Sequence, residues 1–246
     1  MTSLVTRDDA DGVARLTFNR PDALNALNPA LFVTLRAHLD AIADATDTVG
    51  CVVLAGAGRS FSAGNDLKAI QAGEMAPTPE FQAETIEALE ALPQPTIAAV
   101  RGHCYTGALE LALACDLLVA CQSAKFADTH GKWAMTPRWG MSQRLPRRVG
   151  PLLAKEMMFT GRVVSGEEAV CIGLANDCVA DADLDTRADA LAASIVANSW
   201  HSLRGVKMLV NQGQNHTLAD GLTFERDHSP GRGPDLEERL RRFGTK

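Results

Sequence analysis

The sequence predicts an α/β fold: parallel strands alternating with helices, then an all-helical segment. Three observations predict it. Short continuous apolar runs, such as residues 51–55 and 96–100, read as strands buried on both faces. Stretches with apolar residues at helical spacing separate these runs. From about Leu152 onward the strand-like runs stop and helical patterns follow one another. Such alternation suits a parallel sheet with helical crossovers.

Each element has its own local reason. Residues 12–19 alternate apolar and polar and read as a strand, after a turn at residues 8–12. Asn28 stands where a helix cap is needed, with Pro29 at the first helical position. Leu31, Leu35, Leu39 and Ile42 then recur at helical spacing. The strand at 51–55 ends in the turn Gly56-Ala-Gly58. A helix over 81–92 is stopped by Pro93 and Pro95. A strand at 96–100, a helix at 107–114 and a strand at 117–120 follow. Ser165-Gly-Glu-Glu168 has capping-box spacing. Residues 185–197, 201–211 and 217–226 read as helices, and Pro234 opens a last one after a flexible turn. The chain thus divides into an α/β core, residues 1–184, and a helical region, residues 185–246.

Composition excludes several classes. Of 246 residues, 46 % are apolar and 22 % charged, which suits a packed globular chain rather than a disordered one. The net charge is -6, which argues against a sequence-independent nucleic-acid binder and leaves room for a local basic patch toward a phosphorylated ligand. Residues 1–9 lack the apolar core of a signal peptide. The apolar stretch at 109–121 is broken by Glu110 and Asp116, so no membrane span is expected. Six cysteines without a CxxC pair read as reduced thiols, and a cytoplasmic location is expected. The dinucleotide, P-loop, zincin and serine-hydrolase signatures are absent.

Two segments carry chemistry. Arg59-Ser-Phe-Ser-Ala-Gly-Asn-Asp-Leu-Lys68 follows a buried strand and opens a helix. Such a turn either aims backbone N–H groups at an anion or polarised carbonyl, or is an ordinary joint capped by Asp66. In Tyr105-Thr-Gly-Ala-Leu-Glu110-Leu-Ala-Leu-Ala114, one carboxylate sits in an apolar helix. None of its neighbours three or four residues away (Thr106, Gly107, Leu113, Ala114) can pair its charge. Glu110 is therefore either on a solvated rim or desolvated with a raised pKa, as a general acid or base requires.

Together these segments resemble the crotonase, or enoyl-CoA hydratase/isomerase, superfamily. The resemblance also covers Arg20-Pro-Asp-Ala-Leu-Asn-Ala-Leu27, Pro95-Thr-Ile-Ala-Ala-Val-Arg-Gly102, Cys115-Asp116, Ser142-Gln-Arg-Leu-Pro146, Phe159-Thr-Gly161 and the basic tail Glu238-Arg-Leu-Arg-Arg-Phe243. It implies a spiral of ββα units with a C-terminal helical trimerisation region, and a homotrimer or a hexamer built as a dimer of trimers. It implies an acyl-CoA thioester substrate and stabilisation of a thioester enolate, most characteristically by an enoyl-CoA hydratase of fatty acid metabolism. The alternatives it leaves are an isomerase or acyl-CoA hydrolase using one carboxylate, or a weakly catalytic acyl-CoA or RNA binder. No metal and no separate cofactor are implied, since coenzyme A is part of the substrate.

By position, the resemblance makes the backbone N–H groups of Asn65 and Gly107 the oxyanion hole, and Glu110 one catalytic acid/base. The family's second catalytic glutamate falls on His130, in the stretch bounded by Phe126 and Pro137. Imidazole titrates near neutrality, so His130 can still move a proton, with Asp128 nearby as partner or substitute. The resemblance places Ala23, Leu24, Arg59, Ala63, Asp66, Leu67 and Lys68 along the coenzyme A half of the ligand. Trp133, Met135 and Trp139 fall in the segment that borders the acyl pocket.

Overall fold

A computed structural model describes residues 3–243. Residues 1–2 and 244–246, the outermost ends of the two regions expected from sequence, lie outside the described residues. In chain order the elements are β1 (Val5–Ala10), β2 (Val13–Phe18), α1 (Pro29–Asp44), β3 (Cys51–Gly56), α2 (Leu67–Gln71), α3 (Phe81–Ala91) and β4 (Thr96–Val100). Next come β5 (His103–Tyr105), α4 (Gly107–Ala114), β6 (Leu117–Cys121), β7 (Lys125–Ala127), α5 (Met141–Val149), α6 (Pro151–Thr160) and β8 (Val164–Ser165). The chain ends with α7 (Gly166–Cys171), β9 (Asp177–Val179), α8 (Leu184–Val196), α9 (Trp200–Gly213), α10 (Leu218–His228) and α11 (Leu236–Phe243).

One sheet has the order β1-β2-β3-β4-β6-β9. Only β1 and β2 pair antiparallel; every later pair in it is parallel, as the expected crossovers demand. A smaller sheet, β5-β7-β8, stands beside it. The four strands expected from sequence are all present. The turn expected at residues 8–12 is shorter: β1 runs to Ala10, and only Asp11 and Gly12, at φ 50 and 80, make the hairpin turn. β1 escapes an apolar pattern because it is an edge strand with only Val5 buried. The segment after residue 152 is not purely helical either. β8 pairs with β7, and β9 extends the large sheet beside β6.

Local chemistry explains the helix starts. The Asn28 side chain accepts the Leu31 N–H at 3.0 Å and Pro29 opens α1. Ser165 accepts the Glu168 N–H at 3.1 Å at the head of α7. One face of the sheet buries Phe18, Leu35, Ile86 and Leu109. The other face buries Val53, Ile97 and Val119 against Leu184, Ala188 and Ala192 of α8, so α8 is a covering layer of the sheet. The helices that leave the sheet begin at Trp200, whose ring lies on Gly12 and Gly50. Lys207 of α9 reaches Asp116 at 2.8 Å and the Gln94 carbonyl at 2.9 Å, tying that helix back to the core. α10 and α11 bury no residue. No described helix is long and apolar enough to cross a membrane.

Candidate active site

Two turns meet at the carboxyl ends of the parallel strands, where open α/β sheets place their ligands. The first leaves β3 and enters α2; the second leaves β5 and enters α4. They are laced together by backbone: the Ser62 N–H donates to His103 O at 2.9 Å, and the Tyr105 N–H donates to Ser62 O at 3.3 Å. Gly64, at φ 93, lies so close to the Tyr105 carbonyl that no Cβ fits. The Leu27 N–H donates to Gly64 O at 2.8 Å and the Asp66 N–H to Leu27 O at 3.0 Å, which leaves the intervening Asn65 amide out of both bonds.

Gly107 is the first residue of α4, so its N–H has no partner within the helix. Thr106 turns the chain before it at φ 52, and its Oγ1 lies 2.6 Å from Thr129 Oγ1. Neither the Asn65 nor the Gly107 amide has an acceptor among the described residues. Both residues line a cavity of about 320 Å³ that Glu110 and His130 also line.

Glu110 is 1 % exposed, which removes the solvated-rim alternative. Its Oε1 accepts the N–H groups of Trp139 at 3.1 Å and Met141 at 2.9 Å. Its Oε2 is buried without a hydrogen-bond partner and faces His130 Nε2 at 4.0 Å. Burial pushes the Glu110 pKa above the usual carboxylate value, against the pull of the two amides and of His130.

His130 is held by Asp128. One carboxylate oxygen of Asp128 accepts the His130 backbone N–H at 3.0 Å and meets Nδ1 at 2.6 Å. With the Nδ1 proton directed at Asp128, the ring presents Nε2 to Glu110. Burial alone would lower the His130 pKa. The Asp128 hydrogen bond and the charges of Asp128 and Glu110 outweigh it, so the His130 pKa is raised. The Nε2–Oε2 gap is too long for a hydrogen bond, yet one water can bridge it with two arms of about 2.8 Å. The site therefore holds a carboxyl group, an imidazole and two free amides around one small cavity.

The remaining expected residues fall in different places. Met135 and Trp139 line the cavity, whereas Trp133 is 56 % exposed and does not. Asp66 is the N-cap of α2, accepting the N–H groups of Lys68 and Ala69 and an ion pair from Arg20 at 2.9 Å. Its pKa is lowered: burial raises it, but Arg20 and the two amides prevail. Ala23 ends a short 3-10 turn, Pro21–Ala23, and Leu24 caps it before α1, where the Leu24 carbonyl accepts the Ala63 N–H at 2.9 Å. Arg59, Leu67 and Lys68 are exposed around the same turn. Sequence reasoning missed the amides that hold Glu110, which come from 29 and 31 residues along the chain. Gly140, at φ 110, lies between them.

Comparison with known proteins identifies the family. The family model described as enoyl-CoA hydratase/isomerase matches residues 8–231. A crotonyl-CoA hydratase from Syntrophomonas wolfei is 33 % identical, covering 87 % of this chain and 84 % of its own. A short-chain-enoyl-CoA hydratase from Clostridium acetobutylicum is 34 % identical, covering 87 % and 83 %. The crystal structure of an enoyl-CoA hydratase from Bacillus anthracis superposes with a TM-score of 0.92 at 33 % identity, over 98 % of this chain and 96 % of that one. The fold is the one the sequence resemblance implied, and the chain belongs to the enoyl-CoA hydratase/isomerase family of the crotonase superfamily.

Proposed function

We propose that the protein is an enoyl-CoA hydratase that adds water to a trans-2-enoyl-CoA. One observation carries the reading: the partnerless Oε2 of Glu110 faces His130 Nε2 at 4.0 Å across the cavity that Asn65 and Gly107 line. A water between these atoms gives one proton to Glu110 as its oxygen bonds C3. The C2–C3 π electrons move toward the thioester, and the Asn65 and Gly107 amides stabilise the enolate oxygen. His130 delivers its Nε2 proton to C2. Glu110 then holds a proton and His130 lacks one, and the next bridging water returns it. The Asp128 hydrogen bond at Nδ1 turns Nε2 of His130 toward the water and raises the His130 pKa. An Asp–His unit can therefore stand where the family has a second glutamate.

The coenzyme A moiety would follow the surface turn of Ala23, Leu24, Arg59, Ala63, Leu67 and Lys68, with Arg59 and Lys68 toward the phosphates. In this reading Asp66 acts through its cap. The chemistry uses only protein groups and water, with no metal or separate cofactor, and nucleic acid has no part in it. The protein would work in the cytoplasm, in fatty acid metabolism, as a homotrimer or a dimer of trimers. Exposed apolar residues on the outer helices support assembly: Val206, Val210, Leu218, Leu240 and Phe243.

The test is incubation with crotonyl-CoA. Loss of the conjugated enoyl absorbance with a product heavier by one water is expected. A product of unchanged mass, free coenzyme A, or binding without turnover would each contradict the reading, pointing to an isomerase, a hydrolase or a binder.

A further inference from the structure

Trp139 stands between two cavities. One is the site cavity of about 320 Å³. The other, of about 560 Å³, lies beyond it among α3, α5 and the end of α9, with Glu87, Glu90, Gln143 and Arg144 in its walls. Arg138 and Trp139 are the residues that line both. Arg138 is not the partition, because its side chain is exposed and turned to Glu80 at 2.7 Å. The indole is.

Its six-membered ring lies on Gly107 so closely that a Cβ there would overlap it. The same ring meets Phe32 edge-on, at 5.1 Å between centroids and 68° between planes, and Phe32 is fully buried in α1. The backbone is pinned on both sides. The Trp139 N–H donates to Glu110, and its carbonyl accepts from Arg144 Nη1 at 2.7 Å. Arg144 is itself held by Glu90 through two hydrogen bonds of 3.0 and 2.6 Å. The indole thus has a fixed place beside the residue proposed to hold the thioester oxygen.

An acyl group bound at Gly107 has its reacting carbons beside Glu110 and His130. Trp139 lines the cavity into which the further carbons continue, and it also lines the larger cavity walled by charged and amide side chains. The geometry points to Trp139 as the residue that sets acyl length, making this a site for short straight acyl groups of crotonyl or butyryl size. This inference rests on the acyl-CoA reading of the site and adds its substrate class.

Binding of saturated acyl-CoA thioesters tests it without turnover. Calorimetry is run on the full-length protein and on Trp139→Ala, from acetyl-CoA through butyryl-, hexanoyl- and octanoyl- to decanoyl-CoA. For the parent, affinity should rise to butyryl-CoA and then stop rising or fall. For Trp139→Ala it should keep rising past butyryl-CoA, by up to about fourfold per methylene. Trp139→Phe, which keeps a smaller ring, should break the series at an intermediate length. It also serves as the deciding variant if the alanine protein does not fold. A parent that gains affinity steadily to decanoyl-CoA overturns the inference, as does a variant with the parent's break. If the break depends on Trp139 but crotonyl-CoA is not hydrated, the hydratase reading fails and the inference stands. If no acyl-CoA binds, both fail.

Discussion

At the scale of single residues, Glu110 is a buried acid held for chemistry at a cost to stability. Its folded pKa is raised by burial, so ionisation is harder in the folded chain than in the unfolded one. The penalty is absent below the ordinary carboxylate value and is complete once the pH has passed the raised one. Glu110→Gln keeps an oxygen for the Trp139 and Met141 amides and removes the charge. Turnover should drop by about 10²–10⁴-fold. Melting followed by calorimetry should show a variant no less stable than the parent at about pH 8, with any advantage gone at about pH 4. A clearly lower melting temperature at the higher pH would mean that the carboxylate is structural. His130 has the opposite sign. Its raised pKa gives stability that is full below the unfolded value of about 6.5 and lost as the pH rises through the folded one. If it is the acid toward C2, activity falls across that same upper range. Asp128→Asn keeps the shape and removes the charge that favours the imidazolium. The alkaline limb of the activity profile should then move to lower pH, with KM little changed. An unmoved limb would show that Asp128 does not set the state of His130.

At the scale of elements, the site exists because two turns are locked face to face. Gly64→Ala puts a methyl against the Tyr105 carbonyl at a backbone angle that side chains avoid. Chemical denaturation should show a loss of at least about 2 kcal/mol. Activity should drop further than stability alone explains, because the Asn65 amide moves. A variant with parent activity and stability would break the link between this contact and the site. The large elements were legible in the sequence because their signals are local: the Asn28-Pro29 cap, the apolar runs of β3 and β4, and the proline stop after α3. What stayed hidden is made by distant pairing. β5, β7, β8 and β9 are two or three residues long, too short for any periodicity to register. Glu110 could be singled out as a charge in an apolar helix. Its burial and its amide partners could not, since the amides come from Trp139 and from Met141 at the head of α5. The position of His130 was readable by motif, and Asp128 was visible beside it. That the two share a 2.6 Å bond depends on the backbone turn at 128–130.

At the scale of the whole molecule, the outer helices carry apolar side chains that no other described residue covers. Leu218 is 81 % exposed and Phe243 85 %, and α10 and α11 bury no residue. Copies of the chain packed by closed symmetry would cover them. Light scattering at micromolar concentration should give the mass of a trimer or hexamer, and a stable monomer would contradict this. The central claim concerns the paired groups that face one another across the cavity, and the most direct test uses both. The parent, Glu110→Gln and His130→Ala are each given crotonyl-CoA in water labelled with heavy oxygen, across about pH 6 to 9. The parent should place one labelled oxygen in the product, and each variant should lose most of that incorporation. If His130→Ala incorporates label as fast as the parent over the whole range, the water is not held between these two residues and the account is wrong.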